Sequence, residues 1–133
     1  MIKKRSELRE KAMIILYQID IMNTNKIPYN VEEQIKENLE VDNEFVRNIV
    51  YGVLTHQEEI DALANSHINN WTIDRIDKTG ASILRIGIYE MLYDEETPNI
   101  VAINEAIELS KKYSDDKVRK IINAVLDKIN NEN

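Results

Sequence analysis

Apolar residues recur along most of this chain at helical rather than strand spacing. Leu8, Ala12, Ile15, Leu16 and Ile19 fall on one stripe of an amphipathic helix over about 5–23. Arg5 and Arg9 line one edge of that stripe, and Lys4 and Lys11 line the other. The polar run Asn23-Thr24-Asn25-Lys26 with Pro28 closes the helix. A shorter helix over about 29–39 carries Val31, Ile35 and Leu39, and Asp42 or Asn43 is placed to cap the next. Phe45, Val46, Ile49, Val50 and Val53 then form a stripe wide enough to be buried on two sides. Ile60, Leu63 and Ala64 continue it to about 68, with a break or bend near His56.

Asn69-Asn70-Trp71-Thr72 interrupts the pattern, and Thr72 or Asp74 suits the cap of a short turn ending near Ile76. The spacing of Ile83, Leu84, Gly87, Ile88, Met91 and Leu92 predicts a helix over about 78–93. Gly87 among large neighbours marks a close helix–helix approach, since glycine costs about 1 kcal/mol against alanine there. After the loop from Asp94 to Pro98, Val101, Ala102, Ala106 and Leu109 predict a helix over about 99–113. Ser114 is expected to cap a last helix that holds Asp115 and Asp116 in its first turn. Its stripe, Val118, Ile121, Ile122, Val125, Leu126 and Ile129, is the cleanest in the chain. The pattern predicts an all-α fold of six or seven helices, with no strand, repeat or low-complexity segment.

Composition agrees. Three glycines and two prolines in 133 residues leave few turns, and the length suits one domain or two small, tightly joined halves. The absence of cysteine removes disulfides, thiolate metal sites and a cysteine nucleophile. No apolar run is long enough to span a membrane, and no signal-peptide pattern opens the chain, so a cytoplasmic protein is expected.

Charge changes the picture more. The net is −7, yet residues 1–12 carry +3, residues 29–110 carry −12 and residues 111–128 carry +3. A basic arm and a basic tail helix around an acidic middle predict two kinds of partner, unless each run is only a solvated face. Catalytic chemistry is not indicated. His56 and Glu59 make at most a partial metal pair, and surface histidines are the simpler reading. Gly52, Gly80 and Gly87 are isolated, which excludes a phosphate-cradling loop, and no nucleophile–base arrangement exists. Single-stranded RNA is held by cations on phosphates and aromatic rings on bases. Residues 3–11 supply cations, and Tyr17 either stacks on a base or packs against a neighbouring helix.

Three segments resemble the NusB family of bacterial transcription antitermination factors. They are Trp71-Thr72-Ile73-Asp74-Arg75-Ile76 followed by Ile83-Leu84-Arg85 and Tyr89-Glu90, then Pro98 through Val101-Ala102-Ile103-Asn104-Glu105-Ala106-Ile107-Glu108-Leu109 to Lys111, and Ile122-Asn123-Ala124-Val125-Leu126-Asp127-Lys128-Ile129. The front half agrees more loosely, through the basic first helix, Leu16-Tyr17 and Gly52-Val53. The resemblance spans essentially the whole of residues 1–133, read as a single domain.

It implies two small packed helical bundles, no cofactor, and binding of boxA-type single-stranded RNA jointly with the NusE-type small-subunit ribosomal protein. That assembly would help the RNA polymerase elongation complex read through terminators, chiefly in ribosomal RNA operons. On this resemblance the RNA contacts fall on Lys3, Lys4, Arg5 and Arg9 of the arm and on Lys117, Arg119 and Lys120 of the last helix. Partner contacts fall on Asp74, Asp77, Asp94, Glu95 and Glu96. Asn104 and Glu105 are expected in structural roles, bonding a neighbouring helix end or pairing Arg85. The chain departs from the family at its lysine-rich arm, at Gly80 where an acid is usual, and at Ala124 and Ile121 in place of glycine and phenylalanine. Two alternatives remain: a protein-only helical adaptor, and an RNA-recognition module of an RNA methyltransferase system.

Overall fold

A computed structural model describes residues 4–132. Seven α-helices occupy α1 (Arg5–Thr24), α2 (Val31–Asn38), α3 (Glu44–Thr55), α4 (Gln57–Asn65), α5 (Lys78–Tyr93), α6 (Asn99–Tyr113) and α7 (Asp116–Glu132), with a 3-10 turn at Ile73–Arg75. No strand occurs among the described residues. Side-chain caps set several starts. Asn30 accepts the Glu33 N–H at 3.1 Å, Asn43 that of Val46 at 3.0 Å, and Asp77 that of Gly80 at 2.7 Å. Each such cap is worth about 1 kcal/mol.

The expected break at His56 is a single residue: its N–H still bonds the Gly52 carbonyl while its own carbonyl accepts from Ile60. The last helix starts differently from expectation. Ser114 closes α6 through its N–H to the Ser110 carbonyl, and Asp115 caps α7 by accepting the Val118 N–H at 2.9 Å. The carboxylate both satisfies the orphan donor and meets the positive end of the helix dipole.

Helix α5 is the hub. It packs against α1, α3, α4, α6 and α7, joining a bundle of α1–α4 to a bundle of α5–α7. One apolar cluster runs through both, from Leu8 in α1 to Ile129 in α7. Helix α1 lies antiparallel to α5: Arg9 meets Glu90 near one end, while Asp20 meets Arg85 and Thr24 meets Lys78 toward the other. Helix α7 runs parallel to α5, with Val118 against Gly80 and Leu126 against Gly87. The close approach expected at Gly87 is present, because a Cβ there would stand 3.0 Å from a Leu126 methyl and 3.6 Å from Ala106. Val101 and Leu92, placed on buried stripes by their spacing, are 38% and 40% exposed. They lie in the last turn of α5 and the first turn of α6.

Candidate nucleic-acid interface

Lys3 lies outside the described residues. Lys4 and Arg5 are exposed at the start of α1, and the Arg5 guanidinium rests over the Phe45 ring, 4.5 Å from its centroid. Arg9 is a different case. It is 3% exposed and makes a fork on Glu90, with Nε at 2.8 Å from Oε1 and Nη2 at 2.8 Å from Oε2. Its Nη1 reaches Glu105 at 3.4 Å, and Phe45 covers its face. Glu90 is itself 1% exposed, so its charge requires an internal cation. That correction removes Arg9 from the set of free phosphate contacts.

Glu105 takes the first of the two structural roles expected of it, bonding the end of a neighbouring helix. It accepts from Ser6 at 2.6 Å and from Arg9, not from Arg85. Arg85 is taken by Asp61, at 2.8 and 3.0 Å, and by Asp20 at 3.3 Å. Asn104 is exposed on α6.

Along the margin of α1 that faces α6, Glu10 follows Ser6. Glu10 accepts from the Lys112 ammonium at 2.7 Å and the Tyr113 hydroxyl at 2.5 Å. These two donors hold its carboxyl below the usual carboxylate range. Tyr17 lies two turns further on the same margin, half-buried against the apolar cluster. It therefore packs, and keeps part of its ring at the surface.

At the start of α7, Lys117 and Lys120 are exposed. The Lys117 ammonium stands over the Trp71 ring, 4.5 Å from its centroid. Arg119 pairs with Asp116 on its own helix at 2.7 Å, a surface contact that contributes little. Because Val118 abuts Gly80, this patch belongs to the N-terminal end of α5, whereas Lys4 and Arg5 belong to its C-terminal end. The 16 residues of α5 separate the two by roughly 24 Å.

The acids divide the same way. Asp74 is exposed on the 3-10 turn, and Asp77 is engaged as the cap of α5. At the other end Asp94 accepts the Glu96 N–H at 3.0 Å and the Thr97 hydroxyl at 2.7 Å, which shapes the loop. Glu95 and Glu96 are exposed beside Arg5, Phe45 and Tyr93 on a groove of about 590 Å³. Each end of α5 thus offers cations and anions together, where the charge runs suggested basic margins apart from an acidic middle.

Neither histidine is a bare surface group. His56 stacks on Tyr93 at 3.9 Å, and His67 bonds the Leu63 carbonyl at 2.9 Å and Glu132 at 2.6 Å. Among the described residues no three His, Cys, Asp or Glu side chains are grouped to hold a metal. No helix among them is long and apolar enough to cross a membrane.

Trp71 was visible in the sequence only as part of a motif; what marks it in the structure is its exposure and the cation over it. The signal for Arg9 was Glu90, an acid at helical spacing from Ile83, Ile86 and Gly87 on a face that the packing buries.

The sequence profile of the NusB family matches residues 6–131. The transcription antitermination protein NusB of Bacillus subtilis is 40% identical over 129 residues, covering 97% of this chain and 96% of that protein. The Clostridium botulinum NusB is 43% identical over 127 residues, covering 91% and 93%. Among solved structures, T. maritima NusB is similar with a TM-score of 0.87 at 26% identity, covering 99% of this chain and 94% of that one. A chain of the crystal structure of antitermination factors NusB and NusE in complex with dsRNA has a TM-score of 0.84 at 28% identity, with full coverage of both chains. With helices, core and sequence agreeing over nearly its whole length, this chain belongs to the NusB family.

Proposed function

We propose that this protein is a transcription antitermination factor. It binds boxA-type single-stranded RNA together with a NusE-type small-subunit ribosomal protein, and helps the RNA polymerase elongation complex read through terminators, chiefly in ribosomal RNA operons. It acts in the cytoplasm as one domain over residues 1–133, by binding and not by catalysis. The observation that carries this reading is the full-length likeness to a chain from the complex of NusB, NusE and dsRNA.

Lys4 and Arg5 at one end of α5, with Lys117, Arg119 and Lys120 at the other, hold RNA phosphates together with Lys3, and the exposed part of Tyr17 meets the strand. Asp74, Glu95 and Glu96 meet the cations of the ribosomal protein, steering association by complementary potential. Asp77 and Asp94 contribute by fixing the backbone that presents those acids.

Fluorescence anisotropy of labelled boxA-type RNA and a scrambled control, with and without the ribosomal protein, tests the proposal. Selective binding that tightens with the partner is expected. Equal weak binding of both RNAs, unaffected by the partner, would overturn it. The protein-only adaptor would then be favoured, a reading to which the internal engagement of Arg9 already lends weight.

A further inference from the structure

Trp71 is the sole tryptophan of the chain and is 39% exposed. Its exposure is not that of a loose loop. Asn65 accepts the Ile73 N–H at 2.7 Å, the Arg75 N–H bonds the Thr72 carbonyl at 2.9 Å, and Ile73 and Ile76 are buried. The segment is anchored on both sides of the short turn, with the indole held outward. Beside the ring lies a shallow depression of about 580 Å³, lined by Asn70, Trp71, Asp74 and Arg75. Over the ring stands the Lys117 ammonium.

We propose that Trp71 and this depression form a nucleobase-stacking subsite for single-stranded nucleic acid, continuous with the cations at the start of α7. The inference rests on the RNA-binding reading above and assigns one element of it. An aromatic face serves any base, and the flanking groups divide the remaining tasks. Asn70 offers its amide to the base edge, while Arg75 and Lys117 neutralise the adjoining phosphates.

The apolar side chain of a protein partner would find little here, since every other lining residue is polar or charged. Lys117 does not block the site. A solvent-exposed cation over a ring is held weakly, and stacking of a base is the stronger interaction. On binding, the ammonium leaves the ring for a phosphate.

Because the chain holds one tryptophan, its emission reports this ring alone. The test titrates a short single-stranded RNA, labelled at one end, into the full-length protein. Indole emission and label anisotropy are read together, for the wild type, Trp71→Phe and Trp71→Ala, with helicity checked by circular dichroism and binding of the NusE-type ribosomal protein measured for each. Quenching in step with anisotropy is expected. Trp71→Ala should weaken binding about ten-fold, and Trp71→Phe should retain most of it.

If RNA binds, the emission stays unchanged and Trp71→Ala binds as the wild type does, the subsite is overturned and the RNA reading stands. If the wild type shows no anisotropy change with RNA, both fall. If Trp71→Ala loses the ribosomal protein but keeps RNA, the ring is a protein contact and the subsite is again overturned.

Discussion

The two basic segments carry the same net charge of +3 over residues 1–12 and 111–128, yet the fold uses them differently. At the start of α1, Arg9 is drawn inside to Glu90 and Arg5 lies against Phe45, so much of the cationic surface is tied to α3 and α5. At the start of α7, Lys117 stands over a solvent-facing ring and Lys120 is exposed. An arginine beside an apolar stripe is captured by any buried acid that another helix brings opposite. A lysine three turns from such an acid stays free. The charge of a segment therefore tells less about its ligand than the partner that folding supplies.

The sharpest way to break this comparison is Arg9→Ala. It leaves Glu90 as an unpaired buried charge, and a loss of about 3–5 kcal/mol in urea unfolding is expected. The double change Arg9→Met with Glu90→Leu should recover most of that loss. A single variant within about 0.5 kcal/mol of wild type would show that Arg9 is free after all.

At the other end, Gly80→Ala drives a Cβ toward the Val118 methyl at 2.5 Å. A destabilisation of about 1–3 kcal/mol is expected. An unchanged midpoint would mean that α7 is not seated by packing there.

Lys117→Ala and Lys120→Ala should leave stability within about 0.5 kcal/mol. Each should lower the salt dependence of RNA binding by about 0.7, while Arg9→Lys should not. Equal slopes in all three variants would erase the distinction between the segments.

The smallest effect concerns His67. The Leu63 carbonyl and then the Glu132 carboxylate raise its imidazole above the ordinary value of 6.5. A raised folded-state pKa means that its contribution is complete below about pH 6.5 and fades as pH rises through the folded value. Urea midpoints across that window should decline slightly in wild type and stay flatter in His67→Gln. Parallel curves would remove His67 from the anchoring of α7.

Much of the fold was legible because its boundaries are local. Helices α5 and α6 occupy the spans 78–93 and 99–113 that their apolar spacing predicts, and α1 ends within a residue of expectation. The break at His56 and the close approach at Gly87 were also readable from spacing. What escaped involves choices between neighbours or partners far apart. Ser114 and Asp115 both suit a cap, and only the backbone path assigns the role to Asp115. Glu105 pairs Arg9, not Arg85, because the fold brings the middle of α6 within side-chain reach of the start of α1, which no local pattern encodes. The acids at 74–77 and 94–96 are distant in sequence, and α5 holds them distant in space as well.

The fork between Arg9 and Glu90 also bears on how the chain is made, for it joins positions 81 apart. At about 5–20 residues per second, synthesis leaves roughly 4–16 s between the emergence of one partner and that of the other. Throughout that interval the apolar stripe of α1 has no α5 to cover it, and its arginine has no acid to meet. Helix α1 thus leaves the ribosome well before the helix that completes its seat. A nascent chain halted before α5 would present a basic amphipathic segment to whatever chaperone or nucleic acid lies nearby.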